Sequence, residues 1–197
     1  MSPRVGPVVF PVTPHRTDRV TMMIQLSQTV ALMGLTALLG AHAVSRPEVP
    51  DAIKAPSAEA VVLLAHASGV QIYACRESAD GRTGWVLEAP EAQLRNEAGA
   101  VIGRHYAGPA WKHEDGSEVS GKAAAHVDSP DANSIPWLLV AATGHVGDGI
   151  LARVTSIQRI HTKGGQPPSA SDCDSATLNT QARSSYTADY YFYAPAR

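Results

Sequence analysis

"LRNEAGAVIGRHYAGPAWKHEDGSEVSG", residues 94–121, decides how this chain folds. It carries one pattern twice. "LRNEAGAVIGR" from Leu94 and "WKHEDGSEVSG" from Trp111 align at an offset of seventeen, placing Leu94 over Trp111, Arg95 over Lys112, Glu97 over Glu114, Gly99 over Gly116 and Ile102 over Val119. Each copy reads as a strand, a polar turn centred on its glycine, and a second strand. Glycine at that place supplies the positive φ of a tight hairpin turn. Two copies are too few for a solenoid, which needs about three or more, but they make a four-stranded meander. "HYAGPAW" (105–111), the joint between the copies, is not accounted for by the repeat.

The rest of the chain has the same texture. "VQIYACR" (70–76) alternates, with Val70, Ile72 and Ala74 on one face and Gln71, Tyr73 and Cys75 on the other, which is a strand signal. Residues 60–66 suit a strand or a short helix. A short strand over 84–88 follows the turn "ADGRTG". "IPWLLVAATGHV" (135–146) reads as a buried strand that Pro136 opens. "LARVTSIQRIHT" (151–162) alternates, and the intervening "GDG" reads as a hairpin turn. A long loop over 162–180 precedes the aromatic strand "SYTADYYFYAP", where Tyr190 and Phe192 share one face and Tyr191 and Tyr193 the other; one pair belongs to the core. The expected fold is all-β, an antiparallel sandwich or barrel of about eight to ten short strands.

Residues 1–43 read as a leader rather than domain. "MMIQLSQTVALMGLTALLG" (22–40) is uncharged, Arg16 and Arg19 precede it, and Ala41-His42-Ala43 follows as a small-x-small cleavage site. Those parts make a secretory signal peptide, with Met22 or Met23 as the expected start. Residues 44–57, with three prolines, form an extended arm, and 58–197 a single β-rich domain. The 197-residue chain has 16 basic and 18 acidic residues; the leader removes three arginines and one aspartate, leaving 13 and 17. That acidic balance argues against nucleic-acid binding, which usually needs a basic face. After cleavage no membrane span is expected, and the place is periplasmic or secreted. In that compartment Cys75 and Cys173 are expected to pair, against the competing reading of two buried thiols.

"GVQIYACR", "GRHYAGPAWKHEDGSEVSG", "IPWLLVAATGHVGDGILARVTSIQRIHTKGG", Cys173-Asp174 and "YTADYYFY" together resemble the exported family known as domain of unknown function 3455, found in bacteria and fungi. The resemblance implies a β-rich secreted or periplasmic domain and carries no established activity. Some fungal members bear a malate dehydrogenase label, but no G-x-G-x-x-G follows a strand and opens a helix here.

Three chemistries compete. His105 and His113 flank the Gly-Pro-x-Trp segment (108–111), and with Asp115 they have the residue types of a divalent-metal site or a metal-dependent hydrolase. Ser117 with His105 and an acid has the residue types of a triad, yet there is no G-x-S-x-G elbow, and a serine in "EDGS" is ordinary turn chemistry. The residues that turn chemistry leaves over are His105, Tyr106 and Trp111, which suit a ligand site, since aromatics with polar tips favour carbohydrate or other cell-surface ligands. The leading expectation is a non-enzymatic envelope or extracellular binding module with no cofactor and no assigned catalytic residue. The alternatives are the enzyme built on His105, His113 and Asp115, and a structural or stress-protective surface protein.

Overall fold

The doubled segment folds as two consecutive hairpins. Their turns carry Gly99 at φ 81° and Gly116 at φ 91°, the left-handed region that a side chain disfavours. The computed structural model describes residues 44–196, so the leader assigned to 1–43 lies outside it. The strands are β1 (Glu59–Glu77), β2 (Thr83–Arg95), β3 (Val101–Tyr106), β4 (Ala110–His113), β5 (Glu118–Val127), β6 (Trp137–Val146), β7 (Ser156–Gly164) and β8 (Gln181–Pro195). Each pairs antiparallel with the next, and β8 returns to β1, closing a barrel.

Closure explains why several strands are long rather than short. β1 runs 19 residues because it has β8 on one edge from Glu59 to Ala74 and β2 on the other from His66 to Glu77. Residues 60–66 are therefore strand, not helix. Gly69 lets β2 approach closely, since a Cβ there would lie 2.1 Å from the Glu91 carbonyl oxygen.

The interior is filled by rings set against small residues. Trp111, Tyr186, Tyr190 and Phe192 pack with Ala65, Ala67, Ala92 and Ala188. Tyr190 and Phe192 are thus the core pair. Tyr193 is buried on the opposite side of the wall, where Arg46 of the arm lies 5.2 Å over its ring and its hydroxyl donates to Gln158. Gln158 Nε2 in turn donates to the Ile53 carbonyl at 2.6 Å, and Ile53 is fully buried. The arm therefore packs onto the barrel's outer wall.

The "GDG" hairpin does not form. Residues 147–155 make a loop that folds under the barrel, and the strand starts only at Ser156. Leu151 and Val154 fill the barrel's end completely buried, a gain of roughly 1.5–3 kcal/mol per aliphatic side chain that continued pairing would forgo. Asp115 and Ser117 pin this loop. Asp115 Oδ2 accepts from the Ile150 N–H at 2.7 Å, and Ser117 Oγ accepts from the Leu151 N–H at 3.1 Å.

Cys75 and Cys173 are disulfide-bonded with Cα atoms 5.4 Å apart, tying the β7–β8 loop to the end of β1. Among the described residues no helix is long and apolar enough to cross a membrane.

Candidate functional site

The barrel wall is incomplete at one end, and the pairing registers show where. β3 pairs with β2 only over Ala92–Arg95, leaving Thr83–Glu91 joined to β1 alone. β4 pairs with β5 only as far as Ser120, and past the Gly121 N–H, which donates to the Pro109 carbonyl at 3.1 Å, Lys122–Val127 is joined to β6 alone. β3 and β4 are too short to fill the space between, because the chain reverses at residues 107–109, where Gly108 has φ 138°. The joint "HYAGPAW" is this early reversal. Pro90 tolerates its place because that edge of β2 has no partner strand to receive an N–H.

A cavity of about 700 Å³ opens through the gap. Leu87, Glu88 and Pro90 of β2 stand on one side of the mouth, Lys122 and Ala123 of β5 on the other, and Pro109 at the turn. Leu87 is 49 % exposed, an apolar side chain held at the rim. Leu138 and Val140 line the wall. Gly121 keeps the space open, as a Cβ there would meet Val140 Cγ1 at 2.5 Å and Trp111 Cζ3 at 3.3 Å.

The floor is polar and unsatisfied. Gln71 is 1 % exposed, and neither its Oε1 nor its Nε2 has a hydrogen-bond partner. Trp111 Nε1 is buried without an acceptor. Such orphaned groups are rare in native interiors and cost about 1–3 kcal/mol each. Arg159, 9 % exposed, reaches the same cavity from β7, where Nε and Nη2 donate to the Pro136 carbonyl at 3.3 and 2.8 Å.

His105 stacks flat on Trp111, with centroids 4.3 Å apart and planes at 5°. Its Nδ1 donates to the Ala110 carbonyl at 2.9 Å, so the neutral ring keeps the proton on Nδ1 and offers Nε2 as an acceptor. Burial, helped by the Arg159 charge, depresses its pKa to about 3, and the ring is neutral at physiological pH. Burial likewise raises the phenols of Tyr186 and Tyr190, leaving both as protonated donors.

Of the three residues the joint left over, His105 and Trp111 come together in the cavity wall. Tyr106 does not join them. It stands beside a second depression, of about 660 Å³, with Arg104 5.1 Å over its ring. His113 and Asp115 make their own contact, 3.2 Å from Nδ1 to Oδ2. Asp115 is otherwise engaged in its turn, where the Ser117 hydroxyl, the Ile150 N–H and the Ser117 N–H hold its carboxyl well below the usual range. Ser117 is completely buried, with its hydroxyl donated to Asp115 at 2.6 Å and accepting from the Leu151 N–H at 3.1 Å, so the hydroxyl is engaged in holding the turn. Among the described residues no group of three or more His, Cys, Asp or Glu side chains is placed to hold a metal ion, so His105, His113 and Asp115 are not gathered into a ligand set. Gln71 and Arg159 carry the polar floor, and no motif marks either of them. The signal available in the sequence was a polar residue inside an otherwise strand-like alternation.

No curated protein and no solved structure matches the chain. A model of the family described as Protein of unknown function (DUF3455) matches residues 56–194, from before β1 to the penultimate residue of β8, and the chain belongs to that family.

Proposed function

We propose that the protein is a non-enzymatic binding module that takes a small amphipathic molecule into its barrel through the gap between β2 and β5. The observation that carries this reading is Gln71. Its amide is buried, has no partner, and faces a cavity of ligand size with an apolar wall and an apolar rim. Ligand sites are mostly apolar concavities with a few convergent polar groups, and an orphaned amide is tolerated where a ligand completes it. An amphiphile suits the site better than a glycan, since Leu87 stands exposed at the rim and Leu138 and Val140 line the wall. The disulfide supports an oxidising compartment, in keeping with an envelope or extracellular role.

The neutral fluorescent amphiphile phenylnaphthylamine tests the reading. The protein binds it saturably at one site, and Ala123→Trp, which places a ring across the mouth, removes the binding without lowering stability. Absence of saturable binding, or equal binding by Ala123→Trp, overturns the proposal.

A further inference from the structure

Arg159 is a buried cation without an anion. No carboxylate lies within 4.0 Å of it among the described residues. The acid on the cavity lining, Glu88, is already paired with Arg76 at 2.5 Å. Charged side chains are almost never buried this deeply unless paired, because leaving a lone ion in the interior carries a desolvation penalty of several kcal/mol. Two hydrogen bonds to one neutral carbonyl, Pro136 O, do not balance the charge. The buried groups around it do not balance it either: His105, Tyr186 and Tyr190 are all neutral, and Arg159 itself disfavours protonation of His105.

We infer that the cavity's ligand is a monocarboxylate amphiphile whose carboxylate sits on Arg159 and whose apolar body lies along Leu138 and Val140 toward the rim. This rests on the binding reading above and names its ligand class. A planar guanidinium matches a carboxylate's two oxygens. The Gln71 amide N–H and the Trp111 indole N–H are the remaining unpartnered donors on the same cavity. The cavity interior holds one cation, which suits one negative charge rather than the two of a phosphate monoester. Lys122 at the mouth adds an attractive field for an approaching anion, while the aliphatic wall would leave a small polar acid such as acetate without apolar contact.

Calorimetric titration with decanoate and with decanol separates charge recognition from apolar filling. Decanoate binds about ten-fold or more tighter than decanol, the scale of one charge-assisted hydrogen-bonded contact. Arg159→Gln removes the preference for decanoate over decanol, and Arg159→Lys restores part of it. Should Arg159→Gln fail to fold, the wild type serves: decanoate affinity falls to that of decanol as pH is lowered past the acid's own pKa. Equal affinity of the two ligands, a preference that survives Arg159→Gln, or a decanoate affinity indifferent to pH overturns the carboxylate inference while phenylnaphthylamine binding keeps the binding reading intact. If neither ligand nor that neutral probe binds the wild type, the binding reading falls and takes this inference with it.

Discussion

Replacing Gln71 with methionine makes the protein more stable. The Gln71 amide is 1 % exposed with both polar atoms unpartnered among the protein's own groups. A buried unsatisfied polar group costs about 1–3 kcal/mol. Methionine has nearly the same length and flexibility, so the side-chain entropy lost on folding is similar, and its thioether needs no partner. Against that gain stands imperfect refilling of the space, since a shape change in a packed interior usually costs under about 1.5 kcal/mol. The net expectation is a gain of about 1–2 kcal/mol, or roughly 2–8 °C in Tm for a domain of this size. Thermal and urea unfolding followed by circular dichroism measure it directly. The same variant binds decanoate more weakly than the wild type, so stability and binding move in opposite directions, as they do where a strained or unsatisfied group is kept for function. A loss of 1 kcal/mol or more in Gln71→Met would refute the reasoning, because it would mean that the amide is a satisfied structural group.

The disulfide closes a separation of 98 residues, so the double variant Cys75→Ala/Cys173→Ala loses about 4–5 kcal/mol in the chain-entropy view, read from denaturant unfolding with and without reductant. His105 has a folded pKa of about 3 against an ordinary 6.5. The unfolded chain therefore takes up a proton that the folded one refuses, and stability from this group is complete above pH 6.5 and drains toward pH 3 at up to about 1.4 kcal/mol per pH unit. His105→Phe, which keeps a ring on Trp111, flattens the stability–pH curve in that window; an unchanged slope contradicts the assignment. Asp115→Ala frees the Ile150 N–H and the Ser117 hydroxyl from their acceptor and costs about 2–3 kcal/mol, the range of hydrogen bonds to a charged group. A Cβ on Gly149 would lie 2.2 Å from Asp115 Oδ2, so Gly149→Ala is costlier in the wild type than in Asp115→Ala. A double-mutant cycle gives a coupling of about 1 kcal/mol or more, and additivity rules the contact out.

Local sequence pattern marks the hairpins and stops at closure. The offset between Gly99 and Gly116 marks two turns because turn chemistry is local: a positive φ is demanded by a few residues. Leu151 shares an alternation face with Ile157, and Val154 with Ile160, yet both leave the strand to plug the barrel, where Asp115 and Ser117, some 35 residues earlier, hold the Ile150 and Leu151 N–H groups and His145 donates to the Val154 carbonyl. No short window along the chain contains both Asp115 and Leu151. The cavity inverts local expectation. In "VQIYACR" the alternation separates Val70 and Ile72 from Gln71 and Tyr73, and the deeper burial falls on Gln71 and Tyr73. Arg159 looks like an ordinary exposed residue of an alternating strand, but its cross-strand neighbours Leu138 and Tyr190 face the barrel interior and it faces inward with them. β7 is buried on both faces because the arm covers the outside, so polarity could not reveal which face was core. His105 and Trp111 were legible as leftovers of the repeat; Tyr106, their neighbour in sequence, points the other way because strand side chains alternate.

Indole and side-chain amide NMR on addition of decanoate tests the central claim most directly. Three indole N–H signals report three places. Trp111 Nε1 lies on the cavity without an acceptor, Trp85 Nε1 donates to the Ser169 carbonyl at 3.1 Å, and the Trp137 ring packs edge-on against His161. The Trp111 indole and the Gln71 amide signals shift together and saturate with one ligand, while Trp85 and Trp137 stay in place. If Trp111 and Gln71 do not move, or if the shifts fall only on Trp85 and Trp137, the cavity is not a binding site.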